Sequence, residues 1–392
     1  MNIIRIKTSA LLLAAFAVFA TAHAGTIHVA PGGTGSGTSW SDPLGDIQAA
    51  VDAAVANDAI QLAGGTFAVS NAIVVNKNVF IRGGYDPATG QPGATPTVVT
   101  RAGDATTRLV SVSGVSGGEL RDVTLSGGVL YPVEDHAYGA GIQISDSTGY
   151  ALVNCTVSGN KAQSVANKNA GGGGVALVNS SSASLNDCSI FDNEAENVGK
   201  GGNYAFGAGL YVAAGCSAAV TNGVIARNNV VFGQNGQRGA GVYTEGAVSL
   251  FNCLVYNNVC RGSQNNVLGD GLCAYNGGAS LALNFCTIAY NGTCGLYRHG
   301  GTVSASDSIL WGNGDDVCGT VALTRCNVAD GDSNGVDGNI SAEPRFVFGF
   351  RLDAASPCLD QSALTAAEAG LDGRTTLASG ATDSGFADLG WH

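Results

Sequence analysis

GAGIQISDSTGYALVNCTVSGN, residues 139–160, decides the reading of this chain, because its pattern returns five times. GGGVALVNSSSASLNDCSIFDN occupies 172–193 and GAGLYVAAGCSAAVTNGVIARN occupies 207–228. GAGVYTEGAVSLFNCLVYNN follows at 239–258, and GDGLCAYNGGASLALNFCTIAYN at 269–291. A last copy opens at Gly295 and closes with SILWGN, 308–313. Each copy starts Gly-small-Gly-apolar and ends on an asparagine: Asn160, Asn193, Asn228, Asn258, Asn291 and Asn313. The spacings between these asparagines are 33, 35, 30, 33 and 22. The shortest matches one bare coil of a stacked solenoid, and the longer ones carry insertions.

Aligned on the asparagine, the copies form columns of period two. Three residues earlier stand Val157, Ile190, Ile225, Val255, Ile288 and Leu310, and five earlier Cys155, Cys188, Gly223, Cys253, Cys286 and Ser308. After the second glycine come Ile142, Val175, Leu210, Val242, Leu272 and Leu296. Alternating strands stacked in register produce such columns, and a 3.6-residue period is absent. The fold expected is all-β, a single-stranded right-handed parallel β-helix. The asparagines read as a structural ladder within its turns, each amide bonding the coils above and below. The column Asn154, Asp187, Asn222, Asn252, Asp307 reads as further turn hydrogen bonding.

Working outward, weaker strands precede the block at 72–84, 97–101, 108–113 and around Leu120, Val123 and Leu125, and Val321, Leu323 and Cys326 continue it. A solenoid must cover its ends. Ile47, Val51 and Val55, with Ala50 and Ala54, give an apolar stripe over 46–56 that predicts a short capping helix, followed by a first strand in AIQLAGGTF. At the N-terminus, Arg5 and Lys7 precede an apolar run and Ala22-His23-Ala24, the pattern of a signal peptide cut after Ala24. No later stretch approaches the roughly 20 apolar residues of a membrane helix. The expected organisation is 1–24 signal peptide, 25–128 cap and first coils, 129–313 central coils with insertions, and 314–392 last coils and cap. Only 12% of residues are charged, 59 are glycine, and the net charge of −12 becomes more acidic when Arg5 and Lys7 leave. Such a chain repels nucleic acid and anionic lipid, and bare polyuronates too unless a bound cation bridges them.

Gly172-Gly173-Gly174-Val175 and Phe191-Asp192-Asn193 resemble polymorphic outer-membrane-protein repeats, and the chain more broadly resembles the pectin-lyase-like superfamily of right-handed β-helices. The stretch TIHVAPGGTGSGTSWSDPLGDIQAAVDAAVANDAIQLAGGTF, 26–67, is similar to the N-terminal cap of secreted members. SILWGNG, NISAEPRFV, FRLDAASPCLD, LDGR and FADLGWH, spread over 308–392, resemble the choice-of-anchor Q module. The resemblance implies a secreted or cell-surface protein, freely released or loosely surface-associated, with polysaccharide or cell-surface glycan as partner.

The insertions, 129–138, 161–171, 194–206, 229–238 and 259–268, all fall between the asparagine and the next glycine motif and therefore emerge along one edge. Stacked insertions commonly wall a binding face. Beside them the outward position holds Tyr211, Tyr243 and Tyr297, whose rings suit sugar stacking. Acid–base candidates are His136, Asp270, Glu134 and Arg298; a glycosidase needs two converging carboxylates, a lyase a base beside an acidified proton. Asp330, Asp332 and Asn334 have the opening spacing of a calcium loop, but Ser341 stands where the final Glu belongs. Cys155, Cys188, Cys253 and Cys286 read as buried free thiols. Cys260 and Cys294, just past the asparagine of successive coils, are the expected disulfide, with Cys318 or Cys326 to Cys358 a further pairing. The functional expectation is a glycan-binding or adhesive β-helix; the alternative is a polysaccharide lyase or glycoside hydrolase working in the walled groove.

Overall fold

The computed structural model describes residues 25–132, 135–165, 167–198, 203–232, 235–261 and 267–392. The expected signal peptide and Glu134 lie outside the described residues. The chain winds as a parallel β-helix. In one coil, Ile142–Ser145, Tyr150–Val153 and Thr156–Ser158 form three walls, and Val175–Val178 begins the next coil directly above Ile142–Ser145. The walls are sheet 1 (Thr26–Val29 through Tyr150–Val153 to Ala322–Thr324), sheet 2 (Gly65–Val69 through Thr156–Ser158 to Asn327–Val328) and sheet 3 (Ile73–Val75 through Ile142–Ser145 to Val317–Cys318). One antiparallel strand, Gln91–Pro92, joins the edge of sheet 1 against Phe80–Asp86.

The register of sheet 2 sets Leu125, Val157, Ile190, Ile225, Val255, Ile288 and Leu310 over one another, none more than 1% exposed. Sheet 3 stacks Ile142, Val175, Leu210, Val242, Leu272 and Leu296 in the same way. Burial of each such side chain contributes about 1.5–3 kcal/mol, and these columns form one continuous dry core. The corner between sheets 1 and 2 turns on a single left-handed residue. Asp122, Asn154, Asp187, Asn222, Asn252 and Asp307 all have φ of 50–55°, a conformation Asn and Asp adopt at least cost. Their side chains also tie coils together, Asn154 Nδ2 donating to Asp122 Oδ1 at 2.6 Å and Asn252 Nδ2 to Asn222 Oδ1 at 2.9 Å. Cys155, Cys188, Cys253 and Cys286 follow these corners as buried free thiols.

The ladder closes the second corner. Asn193 Nδ2 donates to Asn228 Oδ1 and Asn228 Nδ2 to Asn258 Oδ1, both at 3.0 Å. The same bond joins Asn160 to Asn193, Asn258 to Asn291 and Asn291 to Asn313. The second Nδ2 proton of each goes to a carbonyl of the preceding coil, as from Asn228 to Ile190 O at 3.0 Å. After Asn160, each oxygen also accepts the backbone N–H of the asparagine before it, as Asn228 Oδ1 does from Asn193 at 3.1 Å. The column ends on Asp316, whose Oδ1 takes both N–H groups of Asn313 at 3.1 and 2.8 Å. Its Oδ2 accepts Ala329 N at 2.9 Å and Asp330 N at 3.3 Å.

The capping helix is Ile47–Ala53, with Asp46 accepting Ala49 N at its start. Ile47, Ala50, Val51 and Ala54 enter the core, but Val55 does not: the helix stops at Ala53 and Val55 is 61% exposed. The first strand is Thr26–Val29, ahead of the helix, and AIQLAGGTF divides into Ala59–Ala63 and Gly65–Val69 around the corner between sheets 1 and 2. At the other end, residues beyond 340 fold back along the outside of sheets 1 and 2. Phe285 packs with Ala366, Ala369, Leu371 and Ala387, Ile309 with Leu352, Cys358 and Leu389. The expected Cys260–Cys294 bridge is not formed; Cys294 pairs with Cys318, and Cys260, Cys326 and Cys358 are free. Cys294 lies at the entry to sheet 3 and Cys318 on the last strand of that sheet, whereas Cys260 is buried in a separate small core described below.

Candidate functional site

The insertions are not loops, and this corrects the picture of a wall of them. Their first halves stack as a parallel sheet 4, from Val129–Leu130 through Lys161–Ser164, Glu194–Asn197 and Asn229–Phe232 to Val259–Cys260. Their second halves stack as sheet 5, from Ala137–Tyr138 through Ala170–Gly171, Tyr204–Phe206 and Gly236–Arg238 to Val267–Leu268. Between them Ala137, Ala162, Ala170, Ala195, Ala205, Val230 and Cys260 make a small core of their own. Side chains this short let two sheets close to form a fin standing off the solenoid. The signal lies in the sequence: the second residue after each of the first four ladder asparagines is Ala162, Ala195, Val230 or Cys260.

Where the fin meets sheet 3, two columns face each other. Sheet 5 presents Tyr138, Gly171, Phe206, Arg238 and Leu268. Sheet 3 presents Gln143, Ala176, Tyr211, Tyr243, Cys273 and Tyr297. Phe206 lies over Gly171, where a Cβ would come within 2.4 Å of its Cε2. The Phe206 ring sits 4.8 Å from that of Tyr211 and 4.5 Å from that of Tyr243. Tyr211 and Tyr243 are therefore 5% and 1% exposed rather than an open platform. The fin, folded back, roofs them. Burial raises the pKa of both phenols and pushes Tyr138 up to about 12. All three stay protonated, and Tyr211 and Tyr243 donate to opposite oxygens of Glu245 at 3.4 and 3.2 Å.

The roof ends before the wall does. Sheet 5 stops at Val267–Leu268, while sheet 3 continues through Leu296–Arg298 and Val317–Cys318. A ledge results, carrying Tyr297 and Tyr275, half-buried, and His299, exposed. His299 stacks on Tyr275 at 4.5 Å, and its Nδ1 lies 2.9 Å from Tyr275 O. At the inner end of the ledge the guanidinium of Arg238 lies 4.0 Å from the ring centre of Tyr204 and 3.8 Å from that of Tyr275. Arg238 is 7% exposed, and its Nε has no hydrogen-bond partner. Cation–π contact offsets part of the cost of burying that charge. Arg238, Glu245 and Tyr275 were not singled out by sequence; Arg238 alone had a signal, as a cation in a column otherwise aromatic or small.

The expected acid–base residues are dispersed. His136 Nδ1 accepts Asn169 N at 2.8 Å, its ring stacks on Tyr138, and burial lowers its pKa, so it serves as a neutral link between coils. Asp270 is four strands further along the fin, roughly 19 Å away at ~4.8 Å per strand. It is buried, with Oδ2 accepting Thr293 N at 2.6 Å, Oδ1 unpartnered, and its pKa raised by burial. Arg298 Nε donates to Gly301 O at 2.7 Å. Asp330 accepts the backbone N–H groups of Asp316 and Asp332, so its carboxylate organises a turn rather than a cation. Among the described residues no group of three or more His, Cys, Asp or Glu side chains converges to hold a metal ion, Asp330 and Asp332 included. No helix among them is long and apolar enough to cross a membrane.

Comparison with known proteins agrees with this architecture. Residues 108–284 match the family described as right handed beta helix region. No curated protein matches the sequence significantly. Among solved structures, pectate lyase Pel9A superposes with a TM-score of 0.61 at 14% identity, over 94% of this chain and 96% of that one. A rhamnogalacturonan lyase gives a TM-score of 0.42 at 12% identity, over 73% of each chain. The all-β chain therefore has the fold of a right-handed parallel β-helix.

Proposed function

We propose that the chain is an exported glycan-binding protein, and that the ledge beside the fin holds the sugar. The observation that carries this is the uncovered run of Tyr275, Tyr297 and His299 ending at a buried guanidinium with a free N–H. Rings present apolar faces to a pyranose, and the exposed imidazole of His299 and the half-buried carboxylate of Glu245 supply polar partners for its hydroxyls. The resemblance of the tail to a choice-of-anchor Q module supports a place at or beyond the cell surface. Arg238, which has no carboxylate partner among the described residues, favours one second reading, a polysaccharide lyase or glycoside hydrolase, because such a cation can stabilise negative charge developing in a reaction. The test is a glycan array with residues 25–392, followed by Tyr275→Ala and Tyr297→Ala variants. Binding lost in both variants supports the ledge, and binding unaffected by either rejects it. Turnover of the bound polymer, read as new reducing ends or as ultraviolet absorbance of unsaturated sugars, would establish the second reading if it vanished in Arg238→Gln.

A further inference from the structure

The N-terminal end of sheet 1 carries a polar row on its outer face that the ledge does not explain. Register places His28, Gln61, Arg82 and Arg121 on four successive strands, while Ile27, Ile60, Ile81 and Leu120 point into the core beside them. At about 4.8 Å per strand the row spans about 14 Å along the solenoid axis. Glu119, 9% exposed, organises it. Its Oε1 accepts Arg82 Nε at 2.9 Å and Arg121 Nε at 3.0 Å, and its Oε2 accepts Arg121 Nη2 at 2.8 Å. One carboxylate thus fixes two guanidiniums, and the neighbouring Asp122 also acts on Arg121, so the row offers an anion two fixed guanidinium edges rather than a free unit of charge. Both terminal nitrogens of Arg82, Nη1 of Arg121 and the amide of Gln61 have no partner among the described residues, and the two arginine side chains are 29% and 35% exposed.

An aromatic wall closes the other end of the row. Trp40 meets the edge of His28 at 4.7 Å and lies 5.9 Å from Tyr85, and all three are half-buried. His28 Nδ1 is 3.2 Å from Gly37 O, and Nε2 has no partner among the described residues. Fixed guanidiniums with free N–H groups select an anion locally, against the repulsion of a chain of net charge −12. The row runs across the strands, so an extended chain can lie along it, and flat rings at one end suit a sugar face.

We propose that this row is a second binding site, separate from the ledge, for an anionic oligosaccharide, with Arg82 and Arg121 taking its carboxylate or sulfate groups and Trp40 stacking a neighbouring ring. It does not depend on the ledge reading, because it lies on another sheet. The test is calorimetry of residues 25–392 with three hexasaccharides, one uronic, one sulfated and one neutral. The expected result is binding of the uronic or the sulfated probe, or both, weakening with added salt, and at least tenfold tighter than the neutral one. Which anionic probe binds assigns the ligand. Arg82→Gln should weaken it at least tenfold. Trp40→Ala, which leaves the Arg82–Glu119–Arg121 cluster intact and guards against a folding artefact, should weaken it several-fold, whereas the ledge variant Tyr297→Ala should leave it unchanged. Equal affinity for the neutral probe, no binding of any probe, or full affinity in Arg82→Gln and Trp40→Ala overturns the proposal.

Discussion

Replacing Asn228 by alanine removes four hydrogen bonds at the centre of the ladder. Asn228 Oδ1 accepts the backbone and side-chain N–H groups of Asn193, and its Nδ2 donates to Ile190 O and Asn258 Oδ1. After the change, two N–H groups of Asn193 are left unpaired in a buried place; Ile190 O stays within the ladder to Val224–Ala226, and Asn258 Oδ1 keeps one bond, from Asn228 N. Each orphaned group costs about 1–3 kcal/mol, so a loss of about 2–6 kcal/mol is expected after local relaxation. Asn228→Asp adds a sign. A carboxylate retains the two acceptor bonds but turns an oxygen toward Ile190 O and Asn258 Oδ1. Its folded pKa must therefore lie above the unfolded value of ~3.9. The variant is least harmed below that value and loses stability as pH rises through the folded pKa. Because coils unfold partly independently, the assay is hydrogen exchange of the amides of 189–193 and 224–228 against denaturant, at pH 4 and pH 7. A loss below 1 kcal/mol in Asn228→Ala, or an Asn228→Asp variant more stable at pH 7 than at pH 4, would refute the reasoning.

Three further outcomes are expected. Burial raises the pKa of Asp270, so its contribution is complete below the unfolded value and falls away as pH rises through the folded one; Asp270→Asn should gain stability over the parent between pH 4 and pH 7 in paired thermal melts. Converting Cys294 and Cys318 to serine opens a cross-link 24 residues apart, and denaturant melts should lose about 3 kcal/mol by loop entropy. Gly171→Ala drives a Cβ into the Phe206 ring and should cost about 1–3 kcal/mol as overpacking, with near-ultraviolet circular dichroism of the tyrosine cluster changed; an unaltered spectrum would count against the packed corner.

The winding of the chain was legible because the inward residues recur at fixed offsets from a single asparagine column. Strand registers of sheets 2 and 3 follow those offsets residue for residue. The candidate site was less legible. Tyr211, Tyr243 and Tyr297 share one column, and no local pattern tells which of them an insertion will cover; only the length of the fin, ending at Leu268, separates Tyr297 from the other two. Cys260 and Cys294 stand two and three residues after their asparagines, but the insertion-free coil that follows Asn291 brings Cys318 to Cys294 while Cys260 stays inside the fin. The Arg82–Glu119–Arg121 cluster was invisible because it joins strands far apart in sequence, in coils too irregular to align.

The asparagine column also has a direction. Every amide hands its proton toward the next coil in chain order, so the small dipoles add, with an oxygen at the start, met by Gly128 N at 2.8 Å, and an NH2 group at the finish. Asp316 stands at that positive pole, as an acid does at the start of a helix. A carboxylate offers no proton to pass on, so polymerisation of the motif halts there. Duplicated coils should therefore be accepted anywhere between Asn160 and Asn313, and refused after Asp316 unless it too becomes an amide.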